Sequence, residues 1–344
     1  MSARSALVTG ASGFIASHLV PALVAEGWDV RACGRRPRPP GLPAEADYRA
    51  VDLVDSPAID ELVGGVTHVF HLAGASSSRS SDEEMHRDNV VATERLFEAL
   101  AAVGTVERAL AVSTTAVYGE EEELPSPVPE GVQPRPSRGY GKAKWEAEQV
   151  VWRFAEKGMA VVVVRPVSVH GPGAVKLLAS AILDVAIERF MGLDRLAVHG
   201  EPIEQRLVHV DDVVAACLHL MGHPDAVGRA FNVASGAYPI SHEVAEILAA
   251  HFGMTVELDD DPDCGPGYPE RQQARSDMLA LGMNDPILLT RERFRFLRKA
   301  NRNNRLSLDA LEGTGFRFRH ADPRRAVLAD VDWYRRRRWI LGPE

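Results

Sequence analysis

Tyr140 and Lys144 stand four residues apart in the run Tyr140-Gly141-Lys142-Ala143-Lys144, inside a stretch whose apolar spacing predicts a helix over residues 140–157. That spacing puts both side chains on one helical face. An ammonium beside a phenol favours the phenolate and draws its pKa down from ~10 toward working pH. Such a tyrosine can exchange a proton with a substrate hydroxyl while hydride moves to or from a nicotinamide ring. Tyr and Lys meet at this spacing on many helices, so a second group has to support the pair. It comes from Ser113-Thr114-Thr115-Ala116-Val117-Tyr118-Gly119, which closes an apolar run at residues 106–113. Hydroxyls at the carboxyl end of a strand lie where open α/β sheets bind ligands. Thr114 there is suited to hydrogen-bond the reacting oxygen, although a β-branched residue also serves strand propensity alone.

A sheet edge must position these groups. Residues 5–9 read as a short buried strand ending in a glycine-rich turn, after which Phe14, Ile15, Leu19 and Leu23 share one helical face. Residues 28–33, 67–72, 106–113 and 160–164 are further strand runs, with amphipathic helices at residues 85–103 and 140–157. This alternation predicts an α/β fold, a Rossmann-type doubly wound parallel sheet with helices on both faces. Beyond Arg165 the alternation fades. Residues 177–190 look helical, residues 206–221 and 231–234 read as a return to the main sheet, and the rest as a smaller mixed α/β C-terminal substrate-binding domain. The expected division is 1–167, with 205–235 returning, for the nucleotide-binding domain, against 168–204 and 236–344 for the substrate-binding region. The acidic, proline-rich segment 120–136 reads as an exposed loop beside the site.

The first strand runs into Thr9-Gly10-Ala11-Ser12-Gly13-Phe14-Ile15-Ala16. Gly10 permits the sharp turn, Gly13 lets backbone approach a pyrophosphate, and the small Ala16 lets helix and strand pack closely. The helix start then offers unpaired N–H groups to phosphate, so Gly10, Ser12, Gly13, Phe14 and Ile15 are candidate cofactor contacts. The second strand lacks the terminal acid that would hold the ribose hydroxyls of NAD. It ends in Cys33-Gly34 and is followed by Arg35 and Arg36, which suit the 2′-phosphate of NADP, with NAD the alternative. Solvated loop charge is the plainer account of these arginines. Asp52 in Val51-Asp52-Leu53 stands where a third short strand would bring it and Leu53 to the adenine.

Composition narrows the partners. Lys plus Arg number 39 against 48 Asp plus Glu, a formal charge of −9, which lends no support to nucleic-acid or anionic-membrane binding. No apolar run approaches the ~18 residues of a membrane span, and no signal-peptide pattern opens the chain. The 3 cysteines are scattered, without disulfide or zinc spacing, so a reducing cytoplasm and no metal are expected.

Taken together, these motifs resemble the extended short-chain dehydrogenase/reductase (SDR) superfamily, in its NAD-dependent epimerase/dehydratase branch. The resemblance rests on Thr9–Ala16, Val51–Leu53, His71–Gly74, Asn89 within 88–93, Ser113–Gly119, Tyr140–Lys144, 165–173 and 208–213. It implies Tyr140 as the acid/base, Lys144 also on the nicotinamide ribose, and Thr114 assisting. It implies that Leu72, Ala73, Gly74 and Asn89 line the cofactor, with Pro166 and Ser168 at the nicotinamide end. A homodimer through the helices at 85–103 and 140–157 is frequent in this superfamily.

The chain also departs from the family. Gly34 replaces the usual acid, and Ser168 stands where many sugar-nucleotide members carry Asn. Thr115 and Ala116 replace the Asp-Glu pair of the 4,6-dehydratases, and Ala116 replaces the Glu of the decarboxylases, which disfavours both reactions. The substrate is expected to be a small molecule, with Ser76, Thr115, His170 and Arg206 as candidate contacts. Arg206 matches a position that holds substrate phosphate, or it pairs with Asp211 or Glu204; His170 faces substrate or solvent. The basic run at residues 289–305 reads as a solvated face rather than a site for an acidic substrate. The leading expectation is an NAD(P)-dependent oxidoreductase interconverting a secondary alcohol and a ketone. An epimerase with a transient ketone is second, and a noncatalytic NADPH-binding regulator third.

Overall fold

The computed structural model describes residues 4–75, 80–119, 124–259, 261, 264–284, 286–294, 297 and 305–341. In chain order its first elements are β1 (Ser5–Thr9), α1 (Phe14–Ala25), β2 (Asp29–Gly34), β3 (Asp47–Ala50), α2 (Ile59–Val63) and β4 (His68–His71). Then come α3 (Asp82–His86), α4 (Ala92–Val103), β5 (Arg108–Val112), α5 (Gly139–Glu156), β6 (Val161–Pro166) and β7 (Ser168–His170). They are followed by α6 (Leu178–Phe190), β8 (Arg195–His199), β9 (Leu207–His209), α7 (Val210–Gly222), β10 (Arg229–Val233) and α8 (Ser241–His251). The last are β11 (Thr255–Asp259), α9 (Tyr268–Ala280), α10 (Asp309–Glu312) and α11 (Pro323–Arg336).

The main sheet is a seven-stranded Rossmann-type sheet in the order β10-β6-β5-β4-β1-β2-β3, parallel throughout. The run Val161-Val162-Val163-Val164 makes β6 a strand buried on both faces, as a helix-covered parallel sheet requires. The chain reverses direction across the sheet between β1 and β4, so the crevice at their carboxyl ends is the natural ligand site. The helix expected at 85–103 is broken. It starts at Ser81 with a capping box to Glu84, passes through a π-helical turn at Arg87–Val91, and continues as α4. Such a turn is a frequent companion of functional sites, and this one carries Asn89.

Contacts divide the chain into two compact units, Met1–Val167 with Asp211–Val233 and Leu306–Arg317, and Ser168–Val210 with Ala234–Arg305 and Phe318–Glu344. Leu306–Arg317, expected in the substrate region, therefore belongs with the first unit. Residues 206–221 do not rejoin the main sheet. Leu207–His209 pair with Ser168–His170 as a separate parallel ribbon, and Asp211 and Asp212 then favour the start of α7. Only β10 returns.

The second unit is held by charges buried within it. Asp184 accepts from Arg271 at 2.6 Å and from the Phe294 amide at 2.9 Å. Arg293 grips Glu188, with Nη2 at 2.8 Å, so this member of the basic run is an internal cation and not a solvated one. Arg305 instead holds Glu204 at 2.6 Å, while positions 295, 298, 299 and 302 lie outside the described residues. His170 is buried, with Nδ1 2.7 Å from Asp330 of α11, and so does not face solvent.

In the first unit the segment expected as an exposed loop carries no helix or strand over its described residues 124–136 and is mostly exposed, but it is anchored at two points. Val128 is buried and bridges to Leu306, and Glu130 accepts from the Asn232 amide at 2.8 Å; Glu120 to Glu123 lie outside the described residues. Beside it runs a polar network. Arg165 donates to Tyr118 Oη at 2.8 Å and to both carboxylate oxygens of Glu148, and Tyr118 donates to Asn232 at 2.8 Å. Arg165 and Glu148 are both buried, so each charge depends on the other. Glu148→Ala should lower stability by about 3–5 kcal/mol, read as an earlier urea midpoint, whereas Tyr118→Phe should cost about 1 kcal/mol.

Candidate active site

The carboxyl ends of β1, β2 and β4 open onto a cleft of about 270 Å³. Gly10, Ser12 and Gly13 line it from the first turn, and Arg35 and Arg36 from the chain after β2. Asp52 and Leu53 enter from beyond β3, and Leu72, Ala73 and Gly74 from beyond β4. The first turn is closed by the Gly13 amide on Gly10 O at 2.8 Å and by the Ala11 amide on Cys33 O at 2.9 Å. Phe14 and Ile15 open α1, whose first turn has no side-chain cap and no acid, leaving its N–H groups and positive dipole end for an anion. Asp52 is not on a strand. It sits in the turn after β3, where its carboxylate accepts from the Val54 amide at 2.8 Å and from Arg87 at 3.2 Å.

Gly74 forms the floor toward Asn89 and Lys144. A Cβ there would lie 2.5 Å from Asn89 Oδ1 and 3.9 Å from Lys144 Nζ, so only a hydrogen leaves this approach clear. Asn89 is buried; its Nδ2 donates to Met85 O at 2.8 Å and Ala75 O at 3.2 Å, while Oδ1 has no partner among the described residues. A narrow cradle with an orphaned acceptor fits the ribose hydroxyls of a dinucleotide. Behind it Thr9 Oγ1 meets His71 Nδ1 at 2.8 Å, His71 Nε2 meets Thr93 Oγ1 at 2.8 Å, and Thr93 donates to Asn89 O at 2.5 Å. This chain ties the first turn to the π-helical turn.

Lys144 donates to Val112 O at 2.8 Å. Burial lowers its pKa to about 8, partly offset by the Glu148 carboxylate. Tyr140 begins the first turn of α5, one residue from Gly141. A Cβ on Gly141 would lie 2.6 Å from Ala116 O, so glycine lets this turn close onto the short 3₁₀ turn Thr115–Tyr118 that Thr114 caps. Thr114 Oγ1 accepts from the Ala116 amide at 3.3 Å. The sequence expectation that Lys144 draws the Tyr140 pKa down is not met: desolvation is the larger effect and pushes the phenol up to about 12.

A model of the NAD dependent epimerase/dehydratase family matches residues 6–234. The chain belongs to this family. It is 30% identical over 266 residues to the GDP-6-deoxy-D-mannose reductase of Pseudomonas aeruginosa, covering 74% of this chain and 82% of that one. It is 33% identical over 201 residues to a farnesyl-dihydroquinoline-oxide ketoreductase of Stigmatella aurantiaca, covering 54% and 57%. Among solved structures, MoeE5 in complex with UDP-glucose and NAD is 26% identical, with TM-score 0.72 over 96% of this chain and 99% of that one. The protein is an NAD(P)-dependent enzyme of the extended SDR type, in a group of reductases and epimerases/dehydratases.

Within this family the remaining expected residues fall as follows. Pro166 closes β6 in the first unit, and Ser168 opens β7 in the second. Thr115 lies half-buried in the 3₁₀ turn, and Ser76 lies outside the described residues. Arg206 is half-buried beside Tyr238, and burial lowers its pKa. Glu204, considered as its ion-pair partner, is held by Arg305. Sequence reasoning missed Asp88, which lines the cleft, and Tyr48, whose hydroxyl donates to Arg36 O at 2.5 Å. It also missed the Thr9–His71–Thr93 chain, since neutral hydrogen bonds between distant strands leave no local pattern.

Burial and the Lys144 charge hold the His71 pKa down at about 3, so it is neutral in the folded protein. The unfolded chain binds this proton below about pH 6.5 and the native one does not, so the contribution of His71 to stability is complete above 6.5 and is lost as pH falls toward 3. The stability advantage of the wild type over His71→Gln should therefore shrink across that window in denaturant titrations. A difference that stays constant from neutral pH to pH 4 would show that His71 does not carry this linkage.

Proposed function

We propose that this enzyme reduces a ketone to a secondary alcohol, reversibly, with NADPH, and that Tyr140, Lys144 and Thr114 carry the proton chemistry. The supporting observation is the close approach at Gly141, which brings the Tyr140 turn against the strand end bearing Thr114. Nicotinamide, when bound, supplies the hydride. Tyr140, kept a phenol by burial, is in the protonation state that can donate to a carbonyl oxygen. Thr114 hydrogen-bonds the same oxygen. Lys144, near the Gly74 cradle, holds the ribose and steadies the phenolate that Tyr140 becomes. Gly10, Ser12, Gly13, Phe14 and Ile15 receive the pyrophosphate, and Leu72, Ala73 and Asn89 the adjoining ribose. Arg35 and Arg36 favour NADPH over NADH.

Thr115 and Ala116 offer no carboxylate for dehydration. A nucleotide-linked sugar ketone is favoured as substrate by the likeness to a GDP-sugar reductase and by Arg206 beside Tyr238, a cation suited to phosphate. The second reading is an epimerase that keeps its NAD, supported by the likeness to MoeE5 with its UDP-sugar and NAD. Free, buried Cys33 and Cys217 suit a reducing cytoplasm, and a homodimer would form through α4 and α5.

Tyr140→Phe should lower turnover about 10²- to 10⁴-fold on any ketone the wild type accepts, while NADPH affinity changes by less than about threefold. Steady-state rates and nucleotide fluorescence titrations read the two separately. Turnover that survives the substitution removes Tyr140 from this role.

A further inference from the structure

We propose that Asp88 sets the nucleotide preference by positioning Arg35 for the 2′-phosphate of NADPH. This rests on the NADPH reading above. Asp88 lies on the π-helical turn beside Asn89, so one distortion of the helix serves both the ribose cradle and the adenosine end of the cleft. Its carboxylate is shielded, 15% exposed, whereas the Arg35 side chain is 55% exposed.

The geometry assigns the two carboxylate oxygens different tasks. Oδ1 accepts from Arg87 Nη1 at 2.7 Å, and Oδ2 accepts from Arg35 Nη1 at 2.7 Å. Arg87 is fixed in turn by Asp55 at 2.5 Å and Asp52 at 3.2 Å, so Asp88 is a braced acceptor. An untethered arginine loses much rotamer freedom when it clamps an anion. Asp88 removes that freedom beforehand through one Nη, leaving the planar guanidinium another edge for a phosphate. Arg87 is shared among Asp88, Asp52 and Asp55, so what Asp88 gives Arg35 is orientation, not added positive charge.

The chain after β2 is prepared in the same sense. A Cβ on Gly34 would lie 3.1 Å from Tyr48 Oη. Tyr48 thus crowds position 34, where a side chain would need its hydroxyl to give by a few tenths of an ångström, and that hydroxyl also pins Arg36 O.

The test is the ratio of NADH to NADPH dissociation constants, from fluorescence titration of the full chain. In the wild type the ratio should favour NADPH. Arg35→Ala should lower it about tenfold or more. Asp88→Ala should lower it about three- to fivefold, with partial recovery in Asp88→Glu. The double variant should be no worse than Arg35→Ala alone, because Asp88 acts through Arg35. A ratio unmoved by Asp88→Ala while Arg35→Ala lowers it overturns the proposal. So does a ratio that rises, which would make Asp88 a competitor for Arg35. A wild type that prefers NADH is a different failure: it removes the NADPH reading itself.

Discussion

An ammonium enclosed in a protein interior has to be met by fixed acceptors, and the site is organised around how Lys144 is met. Its 2.8 Å bond to Val112 O pins α5 to the carboxyl end of β5. Thr114 follows Val112 by two residues, and Tyr140 precedes Lys144 by one helical turn, so a single bond sets both relative to the sheet edge. One turn further on, Glu148 is locked to Arg165, which reaches Tyr118 and, through it, Asn232 of β10. α5 is thus fixed from two sides by groups that cannot be released singly without stranding a buried charge.

The same burial decides the protonation states. Tyr140 is raised to about 12, Lys144 lowered to about 8 and His71 lowered to about 3, each displaced toward its neutral form. Desolvation is the largest cause in all three, so the region behaves as a low-dielectric pocket. A phenol in such a place is a proton donor in waiting, which suits the reduction of a carbonyl more directly than the oxidation of an alcohol. The neutral His71 is a different kind of part. It passes hydrogen bonds from Thr9 to Thr93 and keeps the two turns that flank the cleft in register.

Much of the arrangement was legible in the sequence, because the phosphate turn, the strand runs and the Tyr/Lys spacing are local patterns. The glycine turn, the hydroxyl-rich end of β5 and the helix of Tyr140 sit where periodicity placed them. What escaped was non-local or depended on an exception to a period. The helix at 85–103 reads as one element by its apolar spacing, yet a π-helical turn interrupts it at Arg87–Val91. That interruption carries Asp88 and Asn89, and nothing in local composition marks it. His170 and Arg293 look like solvated polar residues from their neighbours in sequence, but partners 160 and 105 residues away hold them inside the second unit. The run 206–221 was misread because Leu207-Val208-His209 is as apolar as a sheet strand, while the acids after Val210 already begin a helix.

The proposed reaction is net hydride transfer to a ketone, with protonation by Tyr140 and release of the oxidised nucleotide. The most direct measurement uses NADPH carrying deuterium on the transferred face of C4, incubated with a panel of nucleotide-linked keto sugars and aromatic ketones, with products read by mass and NMR. One deuterium on the carbinol carbon of a single product stereoisomer is expected, with one NADP⁺ formed per product. A product inverted at a carbinol centre without consumption of NADPH or gain of deuterium would contradict it, and would establish the epimerase instead.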